Sequence, residues 1–222
     1  ATISRPKVAA DDEIASWSID TTASDWQTRT TYDFLRFEDF IQQDLASPIW
    51  PTVFSAIWIY WRLIWAGTIA RFGKANWRFA TFITYPHLML LLEAAGAGAI
   101  AFVFEKGLNA LGVPDPISIA AATAIFVALL WGVLKYTENA TYVLYLLCDT
   151  IWTWEFSHRK RPEWDARIDR FAQYLVNVAR SSDAEEIVVV GHSSGSFLGT
   201  EILARALKLD PKQPIARYIL AE

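Results

Sequence analysis

Two serines and a histidine lie between two glycines in the segment Gly191–Gly195, which reads GHSSG. A serine hydroxyl is a weak nucleophile until a base takes its proton, and it must stand clear of the backbone so that base and substrate can both approach. A sharp turn from a strand into a helix achieves this by holding the serine in a strained conformation. Strand and helix crowd each other on either side of such a turn, where glycines fit. The pattern therefore predicts Ser193 at the apex, followed by Ser194, whose backbone N–H is placed as an oxyanion donor.

The elements around this pentad predict how it is positioned. Ile187–Val190 is a short apolar run typical of a strand buried in a parallel sheet. Pro162–Arg180 has acidic residues in its first turn and an apolar stripe at helical spacing, so it predicts a helix before the strand. The stripe consists of Trp164, Ile168, Phe171, Leu175 and Val178. Leu198–Leu207 predicts the following helix and Ile215–Ala221 a further strand. Helix, strand, helix and strand in short order indicate an open α/β sheet.

From Pro162 through Leu207, this arrangement closely resembles the nucleophile elbow of the α/β-hydrolase superfamily, where Gly-His-Ser-x-Gly is a frequent form. The resemblance implies that Ser193 is the nucleophile and that Ser194 supplies an oxyanion N–H. A hydrolase core split around apolar helices is similar to bacterial membrane-associated members of the superfamily. The alternative is a glycine-rich turn in another doubly wound fold, with the serines capping the helix.

The rest of a catalytic triad does not follow the serine. In this superfamily the chain order is serine, acid and histidine, yet no histidine comes after Ser193. We expect His192 to pack or to steer, and His158 to face solvent or lipid headgroups. The candidate acids after the serine are Glu201, Asp210 and Glu222. We expect a truncated chain, with the triad acid and the general-base histidine outside these 222 residues, in preference to a degenerate enzyme.

The middle of the chain is strongly apolar. The runs 79–104 and 117–134 are long enough to cross a bilayer. Glu93 is the only charged residue in the first run, and the second run has none. We expect a hairpin of two spans, flanked by helices at 49–65 and 140–154 that lie in the membrane interface. Basic residues flank the hairpin, whereas its turn holds only Lys106, so both flanks are predicted in the cytoplasm. The alternative is an apolar helical cap of a soluble protein.

Composition excludes several other classes of function. The net charge of −4 is spread along the chain, which argues against nucleic-acid binding. A single cysteine, Cys148, excludes an internal disulfide framework, and three distant histidines predict neither a metal site nor a metal cofactor. No other cofactor is predicted.

We therefore predict an α/β fold: a partial α/β-hydrolase-type sheet interrupted by a membrane-associated helical insertion. Residues 1–47, with a strand at 12–20 and a strand running into a helix at 31–46, form the N-terminal part of the core. Residues 48–156 form the membrane region, and residues 157–222 carry the nucleophile elbow. The predicted function is a membrane-anchored serine hydrolase at a bacterial inner membrane, with its hydrolase part in the cytoplasm. It would cleave ester or thioester bonds of apolar, including lipid, acyl substrates through an acyl-enzyme. The alternative is a non-catalytic hydrolase-like module acting in membrane assembly or partner binding.

Overall fold

The structure, a computed structural model, describes residues 1–9, 12–212 and 217–221. The strands are β1 (Thr2–Ile3), β2 (Lys7–Val8), β3 (Ile14–Thr22), β4 (Gln27–Leu35), β5 (Val188–His192) and β6 (Arg217–Ala221). The helices are α1 (Glu38–Leu45), α2 (Ile49–Trp65), α3 (Thr68–Ala75), α4 (Trp77–Ala110), α5 (Asp115–Thr141), α6 (Val143–Ser157), α7 (Pro162–Ser181) and α8 (Ser194–Leu209). The chain divides into two compact units, a sheet unit of Ala1–Arg36 with Glu155–Glu222 and a helical unit of Phe37–Trp154.

The predicted α/β-hydrolase-type sheet is wrong. Helices take up 69% of the described structure and strands only 13%, so the fold is mainly helical. The first four strands form a small antiparallel sheet, and β5 pairs in parallel with β6 alone. The physical reason lies in connectivity: β3 and β4 are joined by a short turn that makes them a hairpin, and every element between β4 and β5 is a helix. The described chain therefore supplies too few strands at the right place for a doubly wound sheet.

Within the sheet unit, β3 and β4 are the main pair. They run antiparallel over nine residues each, and Trp17 stacks on its cross-strand partner Tyr32 with ring centroids 5.5 Å apart. The strand predicted at 12–20 is confirmed as β3, and the strand and helix predicted within 31–46 are confirmed as β4 and α1. The prediction that they belong to a parallel α/β core is wrong, because these strands pair antiparallel.

Polar contacts link this hairpin to α7. Glu13, just before β3, forms ion pairs with Arg167 and Arg170 at 2.9 and 2.5 Å. The Tyr174 hydroxyl donates to Asp33 on β4 at 3.0 Å. Burial and this hydrogen bond raise the pKa of Tyr174 to about 12. The hydroxyl therefore stays neutral and remains a donor throughout the neutral range.

The helices α7 and α8 pack on each other and provide the apolar core of the sheet unit. The helix predicted at 162–180 is confirmed as α7, which begins with a proline and acidic residues in its first turn. Its buried face includes Trp164, Ile168 and Phe171, as the predicted stripe requires. Farther along the helix the predicted stripe is wrong by one position. Val176 and Ala179 are buried there, whereas the stripe contained Leu175 and Val178.

The helical unit contains a long hairpin of α4 and α5. Both helices are long and apolar enough to cross a membrane, and they cover the two predicted runs. Helices α2 and α3 meet the same length and composition test only as a pair, and they are bent by 70° relative to each other. Buried side chains from α2, α4, α5 and α6 form the core of this unit: Val53, Ala56, Leu90, Ala97, Leu130, Leu134, Val143 and Leu147.

Two polar side chains in α4 are held by neighbouring helices. The Thr137 hydroxyl of α5 donates to Glu93 Oε1 at 2.7 Å, whereas Glu93 Oε2 is buried without a partner among the described residues. The His87 ring stacks on Tyr60 at 3.9 Å between centroids, and its Nδ1 lies 3.3 Å from the Ile83 carbonyl oxygen. Both side chains thus make contacts between or within helices of this unit.

Candidate active site

The GHSSG segment forms a sharp strand-to-helix turn at Ser193. Strand β5 ends at His192, and α8 begins at Ser194. Ser193 has φ 52° and ψ −127°, and its carbonyl oxygen accepts a hydrogen bond from the Ser196 N–H at 2.8 Å. A serine with positive φ costs roughly 1–3 kcal/mol and persists only where its surroundings enforce it. The predicted turn and its strain are confirmed, while the catalytic role of Ser193 stays a prediction.

The absence of a side chain at Gly191 permits this turn. A Cβ built there would lie 2.5 Å from the Gly195 carbonyl oxygen and 2.7 Å from the Ser196 Cα. Both are backbone atoms, which cannot rotate away as the end of a side chain can. The crowding expected around the pentad is therefore confirmed at Gly191, which lies on the strand side of the turn.

The same expectation was wrong for Gly195. No described atom lies within 4 Å of a Cβ built at this position, apart from its own neighbours and the backbone of its helix. Gly195 follows the turn inside α8, where a Cβ would meet open space. Only the first glycine of the pentad is thus required by close backbone contact.

The Ser193 hydroxyl is accessible. The residue is exposed, and as the N-cap of α8 it makes no capping hydrogen bond through its side chain. The capping alternative therefore does not explain Ser193. Ser194 is the first residue of α8, so its backbone N–H belongs to the turn where the helix dipole concentrates positive charge. An exposed hydroxyl next to such a turn is suited to acyl transfer, because negative charge develops on the oxygen of the attacked carbonyl.

The two described acids after the serine are held by arginines. Glu201 Oε1 lies 2.9 Å from both Arg159 Nη2 and Arg205 Nη2. Asp210 Oδ2 lies 2.9 Å from Arg180 Nε. Each carboxylate is thus committed to a structural ion pair, and neither is joined to a histidine in the described part of the chain.

The histidines are not brought to the serine either. His192 ends β5 and is exposed, and His158 is an exposed residue whose Nδ1 lies 3.0 Å from the Ser157 hydroxyl. Among residues 12–212, neither imidazole forms a hydrogen bond with Ser193. Glu222, the remaining candidate acid, lies outside the described residues. The strained turn at Ser193 is therefore present, while no histidine or free acid is placed beside it among residues 12–212.

A network of charged residues fixes α8 against α7, and sequence reasoning missed it. Arg205 of α8 pairs with Asp165, with Asp169 at 2.7 Å and with Glu201 at 2.9 Å, and Arg159 pairs with Asp165 at 2.8 Å. Burial alone raises the pKa of the Asp165 and Glu201 carboxyls, but hydrogen bonds from Arg205 and Arg159 outweigh it and hold each pKa below its ordinary value. These pairs stabilise the unit at neutral pH, and that contribution is lost as the pH falls through the lowered pKa values.

The signal for this network was present in the sequence. Asp165 and Asp169 are four residues apart on α7, and Glu201 and Arg205 are four residues apart on α8, so each pair shares one helix face. Charged faces at this spacing on two helices that flank one strand favour pairing between the helices. In the basic stretch that contains Arg159, only His158 was assigned a surrounding, namely solvent or lipid headgroups.

Comparison with known protein families, with curated proteins and with solved structures finds no match to this chain. No superfamily is therefore identified, and the likeness to the α/β-hydrolases stays a resemblance of one segment. Among the described residues, no group of three or more His, Cys, Asp or Glu is placed to hold a metal ion.

Proposed function

We propose that this chain is a membrane-anchored serine hydrolase in which Ser193 forms an acyl-enzyme with an ester or thioester of an apolar acyl group. The observation that carries the proposal is the backbone of Ser193, with φ 52° and ψ −127° between β5 and α8. A serine serving only as a helix cap has no need of this conformation, and its side chain makes no capping bond here. Strain of this kind at an exposed serine supports a role in chemistry.

In the proposed reaction, Ser193 Oγ attacks the carbonyl carbon of the substrate while a general base takes the hydroxyl proton. The carbonyl oxygen becomes an oxyanion, which the backbone N–H of Ser194 stabilises at the N-terminus of α8. The oxyanion collapses and expels the alcohol or thiol, which takes up a proton. Water then hydrolyses the acyl-serine by the same steps and regenerates the hydroxyl.

The location and substrate class of the proposal depend on the apolar hairpin. The helices α4 and α5 are suited to anchor the chain, and the basic residues lie mainly on their flanks. By the positive-inside rule, both flanks and the hydrolase part lie in the cytoplasm of a bacterial cell, with the hairpin in its inner membrane. An enzyme held at a bilayer meets apolar acyl substrates, lipids among them.

A second candidate is a non-catalytic membrane module that acts in assembly or partner binding. It is favoured by one observation: Glu201 and Asp210, the described acids after the serine, are both held by arginines. A module without catalysis needs no acid beside its histidine, whereas a hydrolase does.

A fluorophosphonate probe separates the two candidates. These probes react with activated serines and mimic the tetrahedral stage of acyl transfer. We expect the full-length gene product in native membranes to be labelled, and Ser193→Ala to lose labelling by at least about a thousandfold, as loss of a triad member does. The matched control is Ser194→Ala, which keeps the backbone N–H and should keep most of the labelling.

Two histidine variants then test for the base. If His158→Ala or His192→Ala alone abolishes labelling in a folded protein, that histidine is the base; if neither does, the base lies elsewhere. Equal labelling of wild type and Ser193→Ala would remove Ser193 from the mechanism. A folded wild type that is not labelled at all would favour the non-catalytic module.

A further inference from the structure

The helical unit carries a long segment of one charge sign. Between Ile49 and Leu92 the sequence contains no Asp or Glu, although the whole chain has a net charge of −4. The same segment holds four basic residues and five tryptophans. The basic residues are Arg62, Arg71, Lys74 and Arg78. This imbalance covers α2, α3 and the first half of α4.

Two of these cations, Arg71 and Lys74, lie on α3 just after its bend from α2. Gly67, with φ 67°, caps α3 and allows the 70° change of direction. The guanidinium of Arg71 donates to the Ala66 carbonyl oxygen at 3.1 Å and to the Thr68 hydroxyl at 3.2 Å, so it holds the bend. Lys74 lies one turn farther along α3, beside Arg71 on the helix face, and both residues are exposed.

Exposed tryptophans precede and follow these cations along the chain. Trp61 and Trp65 at the end of α2 contact each other edge to face at 5.7 Å, and they are 53% and 75% exposed. Trp77 at the start of α4 is 66% exposed, and Arg78 lies over its ring at 5.6 Å. We call these residues the basic–aromatic surface: Trp61, Trp65, Arg71, Lys74, Trp77 and Arg78. Large rings of this kind, half apolar and half polar, are enriched at the level of lipid headgroups.

The cations of this surface lack counter-ions within the described chain. Arg71, Lys74 and Arg78 form no salt bridge with any described carboxylate. By contrast, each arginine of α7 and α8 is paired with at least one carboxylate: Arg167, Arg170, Arg180 and Arg205. Among the described residues, carboxylates thus pair with the arginines of α7 and α8 and not with the cations of the basic–aromatic surface.

We propose that the basic–aromatic surface binds the phosphate headgroups of anionic phospholipids, of the phosphatidylglycerol class, and so fixes the α2–α3 bend in the membrane interface. Lysine and arginine side chains at a bilayer surface are attracted to anionic lipid, and the tryptophans supply the apolar contacts that a headgroup region accepts. The inference rests on the membrane anchoring in the proposed function and is independent of chemistry at Ser193.

Lipid titration of the purified chain in detergent, followed by native mass spectrometry, tests this surface. We expect dioleoyl-phosphatidylglycerol to bind more tightly than dioleoyl-phosphatidylcholine at 50 mM salt. The triple variant Arg71→Gln/Lys74→Gln/Arg78→Gln should lose roughly a hundredfold in phosphatidylglycerol affinity, because each charge contributes about fivefold. The matched control, Lys106→Gln/Lys208→Gln/Lys212→Gln, removes the same charge elsewhere and should keep the preference.

Two further measurements keep the test independent of folding of the triple variant. The charge-conserving variant Arg71→Lys/Lys74→Arg/Arg78→Lys should keep the preference for phosphatidylglycerol. In the wild type, the preference should shrink as the salt concentration rises towards 1 M, since screening weakens contacts between exposed charges.

The refuting outcomes are distinct. Equal binding of the two lipids by the wild type, a preference insensitive to salt, or equal losses in the triple variant and its control would each overturn the inference while leaving membrane anchoring intact. If the folded wild type bound neither lipid, both this inference and the anchoring would fail. Loss of fluorophosphonate labelling with an intact lipid preference would affect the proposed hydrolase alone.

Discussion

Alanine at Gly191 should damage the strand-to-helix turn, whereas alanine at Gly195 should not. A motif argument treats the two glycines of the pentad as equivalent, but their surroundings differ. A Cβ at Gly191 would lie 2.5 and 2.7 Å from backbone atoms of the next helix, and a Cβ at Gly195 meets no described atom within 4 Å. The pair of variants therefore separates a requirement of packing from a requirement of motif.

The magnitudes follow from this geometry. Relief of the clash at Gly191 requires β5 and α8 to move apart, which typically costs about 1–3 kcal/mol for an overpacked site. At Gly195, inside α8, alanine should instead gain roughly 0.5–1 kcal/mol, because glycine is the poorer helix former. With roughly 2–4 °C in Tm per kcal/mol for a chain of this size, Gly191→Ala should lower Tm by about 2–12 °C. Gly195→Ala should raise Tm by at most about 4 °C.

Thermal unfolding followed by circular dichroism in detergent measures both variants. Hydrogen–deuterium exchange locates the change, and we expect faster exchange in α8 for Gly191→Ala only. Fluorophosphonate labelling of Ser193 in the full-length protein should fall with Gly191→Ala. Equal Tm values for Gly191→Ala and wild type, or a larger loss for Gly195→Ala, would refute the close approach of strand and helix at Gly191.

Two further predictions concern the ion pairs and the hairpin. Arg205→Ala should lower the free energy of unfolding by about 1–3 kcal/mol in chemical denaturation, because two partly buried carboxylates, Asp165 and Glu201, each lose one of their two arginine partners. Arg29→Ala, on an exposed pair, should cost less, and equal costs would contradict the assigned role. In a Cys148→Ala background, a cysteine at Asn109 in the final turn of α4 should react with an impermeant thiol reagent from outside intact cells, and one at Lys74 should not. Labelling of both positions would contradict the hairpin topology.

Local structure was largely predictable from the sequence. The long apolar runs predicted α4 and α5, because backbone polar groups in such runs are best satisfied within a helix. The apolar stripe beginning at Trp164 predicted α7, and the GHSSG pentad predicted a strained serine at Ser193. Each of these features is set by residues close together in the chain.

The sheet was not predictable in the same way. Strand β4 begins with the polar residues Gln27, Thr28 and Arg29, which show no apolar alternation, and it is stabilised by its register with β3. The pairing of Arg29 with Asp20 at 2.6 Å belongs to that register. The partner of β5 likewise depends on where the chain returns, which periodicity does not report.

At the candidate site, the sequence located the turn but misjudged its surroundings. Open space beside Gly195 depends on the direction in which α8 leaves β5, and the pentad does not encode that direction. The network around Arg205 joins residues on two helices about 40 positions apart in the chain. Pairing over such separations needs the packing of α7 on α8, which single-helix patterns do not define.

The unequal lengths of α4 and α5 have a consequence for hydrophobic matching. The apolar run of α4 at 79–104 is about 39 Å long, so a tilt of about 40° fits it to a hydrocarbon core of about 30 Å. Helix α5 has a charge-free run at 117–134 of only about 27 Å, which fits a thin bilayer closely. The shorter helix therefore sets the membrane thickness that the chain prefers. A thicker bilayer would place its strain on α5 and leave α4 almost unaffected.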